Sequence, residues 1–369
     1  MISLNLYELR KSRGITQSYL AEVLGVSFQT VSKWENGAAT PDVKYVISMS
    51  KFFGVTTDQI LGLQPLEADY YSRKTETEEY WNDKVDSIRR SRYELWNDDY
   101  IQFLIQKVWK IDKKVNVLDC GCGNGYLADL LMPFMPEGST YTGIDISRAM
   151  IDDARKIHSD SDFPARFFVK DVYHHREKEK YDIVICQAFL RELSNPKLAL
   201  NNMISSLKVN GMIICIEVNR ELDNAGMYID GMDYSKLIAG EMQRKYWLSE
   251  YEQNDRDYAI GIRIPFMLRE FGIKDINVRV QDKVKFANPD DNEEYEKLRE
   301  AYLAEKGWRK DDSDGDKIAV NVLTNRGLSR DEAEQLTDIW RQIRNKIMSE
   351  KKSFLKTTGF LITYGRKDK

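Results

Sequence analysis

Between residues 115 and 218, short apolar runs alternate with stretches of amphipathic helical spacing. No other feature restricts the fold of this chain as strongly. The spacing predicts strands over 115–120, 140–146, 166–170, 182–187 and 212–218. Helices are expected over 126–135, 148–159 and 196–207. Such alternation closes into a mainly parallel, doubly wound α/β sheet, because each crossover carries the chain back to the same end. A sheet of this kind takes its ligands at the carboxyl ends of its strands, near the switch in strand order.

The first strand runs into Val117-Leu118-Asp119-Cys120-Gly121-Cys122-Gly123-Asn124-Gly125-Tyr126-Leu127. Three glycines at alternate positions let the backbone pass close to a ligand, and the next helix begins there with free N–H groups. The spacing is G-x-G-x-G, not the dinucleotide G-x-G-x-x-G. Asp119, just before the loop, would repel a pyrophosphate and favour an ammonium group. The second strand ends in Gly143-Ile144-Asp145, and a carboxylate there can accept from both hydroxyls of a ribose. The third ends in Lys170-Asp171-Val172, an acceptor for an adenine amine beside an apolar neighbour. An ammonium end, a ribose and an adenine together describe S-adenosylmethionine (SAM).

This combination resembles the Rossmann-like class I SAM-dependent methyltransferases, over residues 93–369 in fold and 115–218 in motif. The resemblance implies a seven-stranded sheet with a reversed last hairpin, and 277–280 and 359–364 suit its final strands. It implies that Asp119, Gly121, Gly123 and Gly125 hold the methionine moiety, with Cys122 also among the cofactor-binding residues. Asp145 would hold the ribose, with Ile146 beside the adenine. Asp171 and Val172 would meet the adenine edge, while Gln187 and Ala188 would line the wall at the fourth strand.

The methyl acceptor is less defined. Amino-directed nucleic-acid enzymes place N/D-P-P-Y/F after the fourth strand, whereas this chain has Gln187-Ala188-Phe189-Leu190. The Pro-Cys nucleophile of cytosine C5 enzymes is absent too. Both facts argue against DNA as the methyl acceptor and for a small molecule. Small-molecule relatives often carry a His pair after this strand, where Arg191-Glu192 stands here. His158 is expected on a surface helix, and His174 and His175, which follow Asp171 near the cofactor edge, in a surface loop or in the cleft. Alignment supplies much of the rate of methyl transfer, so a strong base is not required. Glu192 and Glu217 are the candidate groups to orient or deprotonate an acceptor.

Two extensions, 221–258 and 286–353, are expected to shape the acceptor pocket. The first carries Tyr228, Tyr234, Tyr246, Trp247, Tyr251 and Tyr258. The second holds a capping box, Ser329-Arg330-Asp331-Glu332. Asp311-Asp312-Ser313-Asp314-Gly315-Asp316 lacks the first and last ligands of a calcium loop and reads as a solvated loop. No metal site is expected, and Cys120, Cys122, Cys186 and Cys215 read as reduced, buried thiols.

The first 62 residues form a separate helical unit. Leu6, Leu9, Leu20, Val23, Leu24, Val31, Trp34, Val46, Ile47, Phe52, Phe53, Ile60 and Leu61 supply its apolar faces. Thr16 and Ser27 can cap successive helices around a turn at Gly25, and Asn36-Gly37 is a stop. A helix, a glycine turn and a second helix with a polar outer face form a helix-turn-helix. Over residues 4–62 it resembles the phage repressor/Cro type, down to Trp34-Glu35-Asn36-Gly37 and Pro41. The resemblance implies five helices, with residues 27–35 in the DNA major groove. Gln17 would meet a phosphate, and Ser27, Phe28, Gln29, Ser32 and Lys33 would face the DNA. Gln29 suits adenine, Lys33 suits guanine or phosphate, and Phe28 a thymine methyl. Residues 1–62 hold six Lys/Arg and five Asp/Glu, a net of +1, with Arg10, Lys11, Arg13 and Lys33 as the positive cluster. Affinity for DNA should therefore be modest per subunit and need a homodimer.

With 369 residues, 42% of them apolar and 31% charged, the chain is too long for one small core. The expected division is a helix-turn-helix domain at 1–64, a helical connector at 65–114 and a methyltransferase domain at 115–369. No apolar run approaches the roughly 20 residues of a membrane helix. The first residues lack the features of a secretory signal, so a cytoplasmic protein without a membrane partner is expected. The resulting functional expectation is a SAM-dependent methyltransferase acting on a small molecule, fused to a regulator that binds a double-stranded DNA operator. The alternative is a transcription regulator whose methyltransferase-like domain only senses SAM, its demethylated product or another metabolite.

Overall fold

The computed structural model describes residues 4–12, 15–53, 55–63, 95–175, 177–237, 240–254, 257–306 and 313–368. Arg13, the boundary at Gln64-Pro65-Leu66, the connector up to Tyr93, and Asp311 and Asp312 lie outside the described residues. The chain divides into two units, Met1–Trp81 and Asn82–Lys369.

The first unit contains α1 (Leu6–Ser12), α2 (Gln17–Leu24), α3 (Phe28–Glu35), α4 (Val43–Phe53) and α5 (Thr57–Ile60). The Thr16 hydroxyl accepts from the Tyr19 amide, and the Ser27 hydroxyl from the Thr30 amide, so both expected caps form. Gly25 turns the chain between α2 and α3 with φ 65°. Leu6, Leu9, Leu20, Val31, Trp34, Met49, Phe53 and Ile60 fill the core. Val23 and Ile47, expected among the apolar faces, are exposed. They lie off the stripes set by Leu20, Ala21 and Leu24 on α2 and by Val46, Met49 and Phe53 on α4.

The second unit opens with α6 (Asp98–Phe103), which runs into a π turn at Leu104–Val108. Then follow β1 (Asn116–Cys120), α7 (Tyr126–Leu131), β2 (Thr140–Asp145), α8 (Arg148–Ile157), β3 (Ala165–Val169) and β4 (Tyr181–Gln187). After these come α9 (Pro196–Ser206), β5 (Leu207–Val218), α10 (Arg220–Ala225), β6 (Met227–Ile229), α11 (Tyr234–Leu237), α12 (Gly240–Asn254) and α13 (Ile260–Glu270). The remainder is β7 (Lys274–Val280), β8 (Val284–Ala287), α14 (Asn292–Lys306), α15 (Ser313–Asn325), α16 (Arg330–Met348), β9 (Phe354–Thr357) and β10 (Phe360–Arg366).

Seven strands form one sheet in the order β3-β2-β1-β4-β5-β10-β7. The pairs from β3 to β5 are parallel, and β10 lies antiparallel to both its neighbours. The central strands are buried on both faces, as a sheet covered by helices requires. The reversed last strand agrees with the sequence expectation. The strand order switches between β1 and β4, placing the end of β1 beside the end of β4.

β5 begins at Leu207, earlier than the expected 212, because Leu207 pairs with Tyr181 ahead of the register shift at Tyr181–Ile183. A second sheet, β6-β9-β8, was not expected. Tyr228 pairs with Leu355 and Phe286 with Leu355, so this sheet ties the two extensions together. Asp316 does not lie in a solvated loop. It sits in α15, where its carboxylate takes Arg344 at 3.0 Å and Arg341 at 2.9 Å.

Candidate functional site

The glycine loop folds at the carboxyl end of β1, beside the end of β2. Gly121, Gly123 and Gly125 all have positive φ, at 73°, 53° and 85°. Glycine adopts such angles without the penalty of a Cβ. Their surroundings differ. A Cβ on Gly121 would overlap the Phe189 ring, and one on Gly125 would stand 2.7 Å from His158 Cε1. Beside Gly123 no described atom comes within 4 Å of that position. Gly121 and Gly125 are therefore packing glycines, whereas the backbone at Gly123 is left uncovered by the described residues.

Asp145 anchors this loop. Its carboxylate accepts from the Gly123 amide at 2.9 Å and the Ser147 amide at 2.8 Å. Burial pushes its carboxyl up from the usual range, and the backbone N–H groups of Ser147, Gly123 and Ile146 pull it back. A carboxylate offers about four lone-pair sites, so these backbone donors leave acceptor capacity over. Asp145 and Ile146 are both half-buried at the end of β2, which leaves the carboxylate room to receive hydroxyl donors. This arrangement fits a ribose.

Asp119 is placed differently. It is 1% exposed and accepts from the buried Tyr141 hydroxyl. The side chain thus faces the core behind the loop and shares its charge with a phenol. Cys122 packs against Gly143, where a Cβ would stand 2.7 Å from its Sγ, and burial pushes its thiol well up. All four cysteines are free and buried, as expected. Among the described residues no group of metal-ligating side chains could hold an ion.

At the end of β3, Asp171 is half-buried and already engaged. It accepts from the Tyr173 amide at 2.8 Å and lies 2.8 Å from His174 Nδ1. Val172 beside it is buried. His174 is exposed as expected, but His175 is buried. His158 is also buried rather than on a surface, wedged between α7, α8 and Phe167.

Gln187 ends β4 and accepts from the Trp96 indole at 3.1 Å. Ala188 then turns with φ 50°, a costly conformation for a residue with a Cβ. Behind that turn lies Glu217, which is fully buried. One of its oxygens accepts from the Phe189 amide at 2.9 Å and the Leu190 amide at 2.7 Å. Its other oxygen has no hydrogen-bond partner among the described residues. Burial raises its carboxyl to about 7, against the pull of those two amides. Glu217 was expected to touch an acceptor, and instead it acts on the backbone of the β4 turn. Glu192 was the second candidate. It is buried and 2.8 Å from Arg191 Nε, so its charge is neutralised by its neighbour. The β4 turn thus carries no open carboxylate at either candidate position.

Three contributors were not visible in the sequence. Trp96 and Tyr141 reach the site over 91 and 22 residues, and no local pattern marks them. Phe189 was read only as part of a departure from a motif, yet its ring packs on Gly121.

The outer surface of the helix-turn-helix is built as expected in part. Phe28 is 48% exposed, Gln29 and Lys33 are exposed, and Ser32 is half-buried. Val31 and Trp34 point inward. Ser27 spends its hydroxyl on the cap of α3. Gln17 donates to Glu35 at 2.7 Å. Arg10, expected in an outward positive cluster, is buried and forms a bidentate pair with the same Glu35. A guanidinium offers its fork most effectively to a carboxylate, and this one joins α1 to the end of α3.

Comparison with known proteins agrees with both units. Residues 6–60 match the family model of a helix-turn-helix, and residues 111–257 match that of a methyltransferase domain. The ubiquinone biosynthesis O-methyltransferase of Rickettsia canadensis is 24% identical over 190 residues, 50% of this chain and 75% of that protein. The malonyl-(acyl-carrier protein) O-methyltransferase of Acetivibrio thermocellus is 33% identical over 100 residues, 27% of this chain and 34% of that protein. A solved phosphoethanolamine N-methyltransferase 2 of Haemonchus contortus, in complex with S-adenosyl-L-methionine, covers 83% of this chain and 61% of its own. At 13% identity and a TM-score of 0.44, that likeness carries no conclusion.

Proposed function

We propose that this chain, which joins a helix-turn-helix domain to a methyltransferase domain, binds SAM and transfers its methyl group to a small molecule. The observation that carries this reading is the pairing of Asp145 with the open backbone at Gly123. It sets a carboxylate for a ribose beside a glycine that leaves room for the rest of the ligand. When bound, SAM supplies an activated methyl group on a sulfonium. The chain's own residues then bind and align. Gly123 lets the ligand approach the backbone, Asp145 receives the ribose hydroxyls, and Ile146 offers an apolar surface to the adenine. Gln187, held by Trp96, and Ala188 form the wall at the end of β4. Alignment rather than proton abstraction carries the step, since Glu192 is paired with Arg191 and Glu217 is buried behind the β4 turn.

In this reading the N-terminal domain binds a double-stranded DNA operator as a homodimer, and Phe28, Gln29, Ser32 and Lys33 read the major groove. The protein works in the cytoplasm. Among the described residues no helix is long and apolar enough to cross a membrane. A second reading draws on the same buried carboxylates: the methyltransferase fold senses SAM or its demethylated product and passes no methyl group on.

The test is a calorimetric titration of SAM and of S-adenosylhomocysteine into the full chain, followed by an acceptor screen and an operator-binding assay with and without ligand. Micromolar binding and a methylated product support the enzyme. Binding that shifts DNA affinity without any product supports the sensor. Folded, ligand-free protein that binds neither compound overturns both.

A further inference from the structure

His158 closes α8 and sits under the glycine loop, between elements that the proposed cofactor site depends on. Its side chain is 2% exposed. Nδ1 lies 2.9 Å from the Ala154 carbonyl oxygen. Nε2 lies 3.1 Å from an Asp129 carboxylate oxygen, off the line of a straight hydrogen bond. Both ring nitrogens therefore face oxygens that can only accept. A neutral imidazole has one N–H and one lone pair, so in this setting it would turn a lone pair on an acceptor. The imidazolium, with an N–H on each side, is the form that matches both neighbours.

The place of this ring gives the charge a purpose. Asp129 lies on the first turn of α7, and Gly125, which begins that helix, touches the same imidazole. A Cβ on Gly125 would stand 2.7 Å from His158 Cε1 and 2.9 Å from Phe167 Cε1. The ring thus spans the turn from the last glycine of the loop to the carboxylate one turn on. β3 contributes the Phe167 ring at 4.9 Å, and the segment before it Phe163 at 6.1 Å; neither is charged. The neighbouring Arg155 on α8 points to the Phe167 carbonyl at 2.8 Å and to Asp152 at 3.1 Å. Asp129 is left as the acidic group facing the ring.

We infer that His158 is a positioning residue of the cofactor site: as an imidazolium it clasps the first turn of α7 and holds the glycine loop in its binding shape. This rests on the reading of that loop as the SAM site. Burial opposes the charge, but Asp129 and the Ala154 carbonyl outweigh it, so the ring holds its proton above the ordinary histidine range. Loss of the proton at higher pH sets a lone pair against Asp129 and loosens the turn.

The test is calorimetric titration of S-adenosylhomocysteine into the full chain from about pH 6 to about pH 9. The wild type should lose affinity by about tenfold across that range, the effect of one unit of coupled titration. His158→Phe should bind more weakly at low pH and show a flat residual profile. The titration of the ligand's own groups is common to both proteins and cancels in the comparison. Asp129→Asn, a change at a largely exposed side chain, should move the loss of affinity to lower pH. It keeps the proposal open to refutation if His158→Phe fails to fold. Nitrogen-15 spectra of the three histidines should show one that keeps both ring protons at neutral pH and disappears in His158→Phe. Equal pH slopes in wild type and Asp129→Asn, or a neutral His158 at about pH 6, overturn the clasp and leave the SAM site standing. No binding by the wild type at any pH overturns the site and the clasp together.

Discussion

One carboxylate oxygen of Glu217 lies 2.9 Å from the amide nitrogen of Phe189, and through that bond a residue on β5 sets the turn that ends β4. The same oxygen also accepts from Leu190, so two consecutive amides are fixed at once. With Phe189 held, its ring covers Gly121 and closes one side of the glycine loop. The β4 wall of the site is therefore positioned from behind by a group that no ligand needs to touch.

Glu217 should make stability fall as pH rises. Its carboxyl is raised to about 7 by burial, against an unfolded value of 4.5, so the folded chain holds the proton more tightly between those limits. Stability from this group is full below the unfolded value and is lost as pH climbs through about 7. The loss amounts to about 3 kcal/mol, from the rise from 4.5 to about 7. Glu217→Gln removes the titration. Denaturant melts at mildly acid and mildly alkaline pH should show a smaller difference for the variant than for the wild type, and an unchanged difference would refute the assignment.

Asp145→Ala should weaken SAM binding by more than about tenfold, since a charge-assisted pair of bonds to the ribose is lost. The Gly123 and Ser147 amides lose their acceptor as well, which loosens the loop. Calorimetry reads the affinity directly. An affinity equal to the wild type would mean that the ribose lies elsewhere.

Gly121→Ala should destabilise the second unit by about 1–3 kcal/mol, through overpacking and a φ that alanine resists. The new methyl group would enter the Phe189 ring. Phe189→Ala should restore part of the loss in the double variant, because the clash disappears while the backbone penalty stays. Thermal melts of the four proteins form the cycle. Additive losses would show that the ring does not rest on this glycine.

Arg10→Met should destabilise the helix-turn-helix by about 3 kcal/mol or more, because it leaves Glu35 buried without its cation. Calorimetric melting of the full chain should show this as an earlier transition for one unit. By contrast, Gln29→Ala with Lys33→Ala should keep the melting profile and abolish operator preference in a footprint. Retained preference would remove α3 as the reading helix.

The sequence made local features legible. Thr16 and Ser27 announced their helices because a cap is set within three residues. The glycine loop was equally local, and the reversal of β10 came with the family resemblance. Side-chain orientation was less accessible. Arg10 looked like a surface charge until α3 brought Glu35 against it, and Glu217 looked like an open base until the β4 turn closed over it. Each depends on a partner 25 to 28 residues away, which no periodicity encodes. The β6-β9-β8 sheet was hidden for the same reason, since Tyr228 and Leu355 are brought together only by the finished fold.

The position of β10 bears on how the chain is made. This strand is the last of the large sheet in sequence, yet it lies between β5 and β7 rather than at an edge. It follows directly on β9, the middle strand of the smaller sheet. Until residues 354–366 leave the ribosome, both sheets lack an inner member, and β5 and β7 expose unpaired edges. Such non-local closure is slow, and open edges invite aggregation while it waits. Synthesis should therefore yield a nascent methyltransferase unit that depends on chaperones until those residues emerge. The helix-turn-helix, whose contacts are local, can fold while the rest of the chain is still being made.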